Sequence, residues 1–498
     1  MHYTVLDYLE DTAAKYPEKI AFADTATSVT WSKFVSEVKG LSTVIQKYYK
    51  PGSAVPVFAD KTVLTLEYFF AALYAGCFYS YIEPTFPDSR IESMLNTLNA
   101  EYIIADAKYE KKLAAQNIKP LFTNTFPDQI QQYSDDVRKN IIDTDLVYAN
   151  FTSGSTGTPK AVAVSHRCVI DFISCFIETF NITSDENLAN QAPFDFDVSV
   201  KDIFTGVFTG ASVHLIPKMF FSFPTKLLDY LEERKITTLI WAVSALCIIS
   251  TLDGFSYKIP SKLKKIMFSG EVMPVKHLHI WQKNIPHAQY INLYGPTEIT
   301  CNCTYHIITE NIDENGIIPM GIPFKNERVF LLDEQDKLIT EPDVEGEICV
   351  SGTCVVPGYY NNSQKTEEVF VQNPLQNNHF ERIYRTGDLG KLGKDGLFYY
   401  CGRKDFQIKL NGHRIELTEV EGAIMEIENI SRSCCIFENN KVTAFYTGSE
   451  LDKKDIIKKL REKLPVFMIP AEIIYIEEFT LNKNGKIDRN KLKELLNE

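Results

Sequence analysis

Nowhere in the 498 residues is there an uninterrupted apolar run of the roughly 18 that a membrane span needs. The most apolar stretch, residues 66–82, is broken by Glu67 and Gly76 and reads as a buried helix running into a buried strand. The N-terminus, Met1 to Asp7, lacks the basic region and following apolar run of a secretory leader, so a cytoplasmic location without membrane insertion is expected. Basic residues are outnumbered. Lys and Arg total 52 against 65 Asp and Glu, and the net charge of −13 removes any generic attraction to nucleic acid or anionic lipid. The 11 cysteines are odd in number and scattered. Neither Cys434-Cys435 nor Cys301-x-Cys303 has a partner pair at zinc spacing, so reduced thiols are expected. Internal repeats and low-complexity tracts are lacking too.

The chain has the apolar content a core needs: hydrophobic residues make up 45% and aromatics 12%, with 23% charged. This composition excludes extended disorder, and the length corresponds to roughly three structural units. Strand-like runs at 19–24, 54–58, 102–105, 146–151, 212–216 and 238–242 alternate with helical patterns. One such pattern follows Ser165 as N-cap and places Val169, Ile173, Phe176, Ile177 and Phe180 on one face. The alternation predicts an α/β fold with largely parallel strands in layered sheets. From about residue 325 the runs shorten (329–332, 347–351, 396–401) and predict an antiparallel, β-rich subdomain. After residue 402 a hairpin is expected across 406–412 with Asn411-Gly412 at its turn. Thr418 and Glu421 then form a predicted capping box for a helix burying Val420, Ile424 and Ile427. A further helix (Ile456, Ile457, Leu460, Leu464) and a strand at 472–476 complete a small α/β unit. The expected domains are a body, 1–402, and a C-terminal unit, 403–498.

The strongest local signal is Thr152-Ser153-Gly154-Ser155-Thr156-Gly157-Thr158-Pro159-Lys160 at the end of a strand. Glycines let backbone amides approach a polyphosphate, hydroxyls add donors and the lysine supplies charge. Pro159 in place of the glycine before the lysine excludes a Walker loop. Downstream, in order, come Phe196-Asp197-Val198-Ser199-Val200, Asn292-Leu293-Tyr294-Gly295-Pro296-Thr297-Glu298, Gly346-Glu347-Ile348, Tyr384-Arg385-Thr386-Gly387-Asp388, Gly402-Arg403-Lys404-Asp405 and Asn484-Gly485-Lys486-Ile487-Asp488-Arg489. Over nearly the whole chain this series resembles the acyl-adenylate-forming (ANL) superfamily, in particular the amino-acid adenylation domains of nonribosomal peptide synthetases and the D-alanine–carrier protein ligases.

The resemblance implies a role for each motif. Thr152, Ser153, Gly154, Ser155, Thr156, Gly157 and Lys160 would cradle the β- and γ-phosphates of ATP. Tyr294 would stack on adenine, Asn292 would meet its exocyclic amine, Asp388 would take the ribose hydroxyls and Arg403 would steady the nucleotide. Thr297 would bind the α-phosphate and Glu298 would ligate Mg²⁺. Lys486 would be the catalytic lysine of a mobile lid that turns about Asp405, first for adenylation and then for thioester formation. Asp197 would pair with the α-ammonium of an amino acid. Val198, Lys201, Met267, Ser269, Leu293, Cys301 and Asn302 would line its side-chain pocket, with Ala242 less firmly placed.

The stretch 267–274 looks especially like D-alanine ligases, although those enzymes typically carry Cys at the position of Ser269, Val at that of Cys301 and an apolar residue at that of Lys201. D-alanine or another small amino acid is therefore the expected substrate, with an acidic or polar one, read by Lys201 and Asn302, as the alternative. A separate phosphopantetheinylated carrier protein would receive the product, since no carrier motif follows the lid before Glu498. A monomer is expected. An acyl- or aryl-CoA ligase and a nucleotide-binding regulator without turnover are the competing readings.

Overall fold

In a computed structural model, residues 2–154, 158–481 and 487–496 are described. Ser155, Thr156, Gly157 and Lys486 lie outside them.

The expected alternation folds into two largely parallel sheets. The first runs in the spatial order Gly358–Tyr359, Lys160–Ser165, Leu146–Thr152, Phe78–Tyr81, Ala54–Phe58, Tyr102–Ala105, Lys119–Phe122. The second runs Ile322–Pro323, Thr304–Ile308, Gln289–Tyr294, Lys265–Ser269, Thr238–Ala242, Asn187–Asn190, Ser212–Leu215, Ile20–Ala23, Ser28–Thr30. Six central strands of the second sheet, from Ile20–Ala23 through Gln289–Tyr294 in spatial order, are parallel, with antiparallel strands confined to its edges. Helices Trp31–Ile45, Val63–Tyr74, His166–Phe180 and Val198–Thr209 share one apolar core with strands of both sheets. Helix Val63–Tyr74 is buried at every position except Leu64, Glu67 included, and runs by a short turn into strand Phe78–Tyr81. Helix His166–Phe180 begins as expected, with Ser165 accepting from the Cys168 amide.

Strands Glu327–Leu332, Glu345–Gly352, Phe370–Gln372, Arg382–Leu392 and Phe398–Arg403, with Leu338–Ile339 at the edge, form the antiparallel subdomain. After a bend at 404–406 the chain makes the hairpin Gln407–Leu410 and His413–Glu416, with Asn411 (φ 52°) and Gly412 (φ 81°) at its turn. Two consecutive left-handed residues are what a two-residue hairpin of this twist requires. The rest of the C-terminal unit packs helices Leu417–Met425 and Lys453–Arg461 on the sheet Ile430–Glu438, Lys441–Gly448, Glu472–Tyr475, around a core of its own residues.

The predicted capping box does not form. Strand His413–Glu416 runs straight into its helix, so the cap falls on Glu416 and Thr418 lies inside the first turn. Glu421 instead accepts from the Cys435 amide and from Arg489, both at 2.7 Å, and ties the helix to the sheet and to the final helix. Among the described residues, no helix is long and apolar enough to cross a membrane.

Candidate active site

In open α/β sheets the ligand crevice lies beyond the carboxyl ends of the parallel strands. Here Thr152, Ala242, Ser269 and Tyr294 are the last residues of their strands. A cleft of 1660 Å³ opens beside these ends and takes in Ala242, Ser269, Asn292, Leu293 and Tyr294. A 110 Å³ recess at its base brings together Thr152, Ser153, Asp197, Thr297, Asp388 and Arg403. Residues hundreds of positions apart thus meet in one place.

The residues expected at the nucleotide form a connected set. Tyr294 donates its hydroxyl to Asp388 Oδ2 at 2.6 Å, and Arg403 Nη1 reaches Asp388 Oδ1 at 2.5 Å. Burial pushes the Tyr294 hydroxyl well above its ordinary value, which keeps it a donor. Asn292 donates its amide nitrogen to the Pro319 carbonyl at 2.7 Å, so its oxygen is the group left to accept from an exocyclic amine. Arg403 also chelates Asp405, through Nε at 2.6 Å and Nη2 at 2.7 Å.

At the phosphate loop, Gly154 is required by close backbone approach: a Cβ there would lie 2.0 Å from the Thr158 carbonyl oxygen. Thr152 Oγ1 is buried without a partner among the described residues, as suits a hydroxyl that serves a ligand. Lys160 is held 3.9 Å from Glu416 and over the Tyr359 ring, 5.2 Å from its centre.

Glu298 is wholly buried. It accepts from the Tyr359 hydroxyl at 2.8 Å and, with both oxygens, from Arg414 Nη1 at 2.9 Å. Burial pushes its carboxyl up, but the Arg414 and Lys160 charges and the Tyr359 hydroxyl outweigh this and hold it at about 2. A single ionised carboxylate suits Mg²⁺, which commonly takes one or two carboxylates and fills its remaining positions with phosphate oxygens and water.

Asp197 caps helix Val198–Thr209 by position, without a side-chain cap bond, and Val198 beside it lines the cleft. Burial raises the Asp197 carboxyl, while the Thr297 hydroxyl and the Lys201 and Lys409 charges oppose the rise. Cys301 donates its thiol to the Asp197 carbonyl at 3.3 Å. Thr300 and Cys301 both adopt left-handed backbone (φ 57° and 78°), a costly conformation for a β-branched threonine that sets the turn beside Asn302.

Two expected pocket residues are placed differently. Met267 is wholly buried in the core behind its strand, away from the cleft. Lys201 stands one layer back: its ammonium donates to Ser269 Oγ at 3.1 Å and Asn302 Oδ1 at 2.9 Å, and those two line the recess. Burial lowers the Lys201 ammonium, with Cys301, Asp197 and Asp202 opposing.

The C-terminal hairpin contributes residues to which the sequence alone gave no place in the site. Lys409 lies 5.9 Å from the centre of the Tyr294 ring, and the Gly412 amide donates to Glu271 at 2.8 Å. His413 stacks on Phe467 at 3.6 Å and meets Phe196 edge-on at 4.6 Å. Polar Arg414 and Glu416 flanking apolar Ile415 were the available signal, since alternate residues of a strand face opposite ways.

Residues 9–360 match the family described as AMP-binding enzyme. The chain is 31% identical to zwittermicin A synthase ZmaJ of Bacillus cereus over 97% of this chain and 93% of that one. It is 30% identical to the D-alanine–D-alanyl carrier protein ligase of Staphylococcus aureus (strain MRSA252) over 99% of both. It is also 31% identical to bacitracin synthase 1 of Bacillus licheniformis, of which it spans only 9% while 99% of this chain is covered. A solved NRPS protein containing adenylation and PCP domains superposes with a TM-score of 0.85 at 25% identity, covering 100% of this chain and 98% of that one. With its fold, its motif order and its match over most of the sequence in agreement, the chain belongs to the AMP-binding enzymes of the acyl-adenylate-forming superfamily.

Proposed function

We propose that this enzyme activates an amino acid as its aminoacyl adenylate and then passes the aminoacyl group to the phosphopantetheine thiol of a separate carrier protein. The observation that carries the reading is the placement of Asp197 in the same recess as Asp388 and Arg403: an anion for an α-ammonium beside the groups for a nucleotide. In the first step the substrate carboxylate attacks the α-phosphorus of ATP and pyrophosphate leaves. Asp197 orients the amino acid, Thr297 and Lys160 receive phosphate oxygens, and Asp388 with Tyr294 fixes the nucleoside. Mg²⁺, held by Glu298, would supply charge neutralisation on the phosphates. Lys486 would stabilise the charge on both reacting groups. In the second step the carrier thiol attacks the acyl carbonyl and AMP departs, after the lid has turned about Asp405 within the bend at 404–406.

D-alanine or another small amino acid is the side-chain class supported by likeness to the staphylococcal ligase. A second reading, a polar or acidic side chain, is favoured by Lys201: a buried cation that spends two of its three donors on the neutral Ser269 and Asn302 of the recess wall. ATP–pyrophosphate exchange across D- and L-alanine, glycine, aspartate, glutamate and asparagine separates the two. Preference for alanine retained in Lys201→Met supports the first, and an acid preference abolished by Lys201→Met supports the second. Exchange driven only by acids without an amino group overturns both.

A further inference from the structure

Of the five carboxylates that line the cleft, four are engaged. Asp60 accepts from Lys108 and Tyr109, and Glu83 accepts from Thr85 at 2.9 Å and Tyr81 at 3.3 Å. Glu271 accepts from the Gly412 amide at 2.8 Å, and Asp405 is chelated by Arg403. Asp195 is the exception: its Oδ1 is buried without a hydrogen-bond partner among the described residues. It follows strand Asn187–Asn190, two residues before Asp197, and lines both the cleft and the recess, so it stands where the two meet. Lys61, Tyr81, Glu83, Arg90 and Lys218 are the ionisable groups around it. Lys61 is spent on the carbonyls of Asn190 and Gln191, at 2.9 and 3.0 Å, and Tyr81 on that of Ala59 at 2.8 Å. Burial and the Glu83 charge raise the Asp195 carboxyl, its own amide and the Lys218 and Arg90 charges oppose the rise, and it comes to rest at about 7. The His413 imidazole, also in the cleft, is held at about 3 by burial and by the Lys218 and Arg90 charges, which makes it a far weaker base.

Resting on the adenylation reading above, we propose that Asp195 is the proton acceptor for the attacking thiol in the second step. An acyl group anchored at Asp197 lies in the recess, and a thiol that enters along the cleft meets Asp195 at the junction. The S–H proton passes to the carboxylate, the sulfur electron pair forms the bond to the acyl carbon, and the bond from that carbon to the phosphate oxygen breaks with AMP as the leaving group. Asp195 then gives its proton to water. A thiol with the ordinary value of about 8.5 is only about 3% ionised at pH 7, so taking its proton is worth up to about 30-fold. The first step needs no such help, because its nucleophile is a carboxylate that is already ionised. Asp195 therefore serves thioester formation and not adenylation.

The test supplies the full chain with the aminoacyl adenylate of the amino acid selected by exchange and with pantetheine as acceptor, and follows thioester formation from about pH 6 to about pH 9. The wild-type rate should rise with pH as Asp195 ionises and level off above about 7. Asp195→Asn should be about 10- to 30-fold slower at pH 7 and should close on the wild type as the pH nears the thiol's own value. Its deficit should shrink with trifluoroethanethiol, a more acidic acceptor that needs a base less. ATP–pyrophosphate exchange, in which no thiol takes part, should fall less than about threefold and reports on the fold of the variant. Wild-type loading by Asp195→Asn at pH 7, a deficit that is the same at every pH and with both thiols, or equal loss of exchange and loading overturns the proposal. The adenylation reading then still stands on the wild type's exchange with an amino acid. A wild type that shows no such exchange overturns both.

Discussion

Replacing Asp197 by Asn keeps the shape of the side chain and removes its charge. In the structure that carboxylate is half-buried and flanked by the Thr297 hydroxyl and the charges of Lys201 and Lys409. A bound α-ammonium would add a direct partner in a confined recess. Hydrogen bonds to charged groups are worth about 1.5–3 kcal/mol, and breaking a fully buried pair costs about 3–5 kcal/mol. Partial exposure places Asp197 between these limits, at about 2–4 kcal/mol, or roughly 30- to 700-fold in kcat/KM for the amino acid. Amino-acid-dependent ATP–pyrophosphate exchange measures it, with AMP binding by calorimetry as the control for an intact nucleotide site. The deamino analogue of the best substrate should be no worse for Asp197→Asn than for wild type, because it has no ammonium to lose. A kcat/KM for the amino acid within threefold of wild type would refute the assignment.

Asp388→Asn weakens the ties to Tyr294 and Arg403 and the acceptor expected for ribose, so AMP affinity should fall about 10- to 100-fold; calorimetry showing less than a twofold change counts against the role. Lys486→Ala should abolish pyrophosphate exchange yet largely spare carrier loading from supplied adenylate, whereas Asp405→Pro, which fixes φ at the bend, should harm loading more than exchange; equal loss of both half-reactions in each variant would contradict the two-orientation mechanism. Glu298 is held at about 2 against an ordinary 4.5, so while it is paired with Arg414 its contribution to stability is complete above pH 4.5 and is lost as pH falls toward 2. That contribution is on the order of 3 kcal/mol, and Glu298→Gln should flatten this part of the acid-unfolding profile; a variant with the wild-type acid slope would exclude it.

Local pattern carried much of the fold. Strands Ala54–Phe58, Tyr102–Ala105 and Thr238–Ala242 lie where their apolar runs end, because the flanking turns interrupt pairing there. Helix Trp31–Ile45 went unmarked, and the capping box failed because a strand feeds its helix directly and tertiary ties to Arg489 claim Glu421. The site was legible where one motif supplies neighbouring groups, as with Thr297 in the recess and Glu298 against Tyr359. It was opaque where two distant segments create the environment: Arg414 meets Glu298 across 116 positions, and the second-layer placement of Lys201 follows from its bonds to Ser269 and Asn302, 68 and 101 positions away. Nothing in the spacing of any one segment encodes such contacts.

The central claim is amino-acid adenylation, and trapping the intermediate tests it most directly. The full chain, incubated with ATP, MgCl₂ and the amino acid selected by exchange, should accumulate a species with the mass of the aminoacyl adenylate and release pyrophosphate in equal amount. Pyrophosphate release with only amino-free acids, or no adenylate with any amino acid while AMP binds normally, would contradict the account.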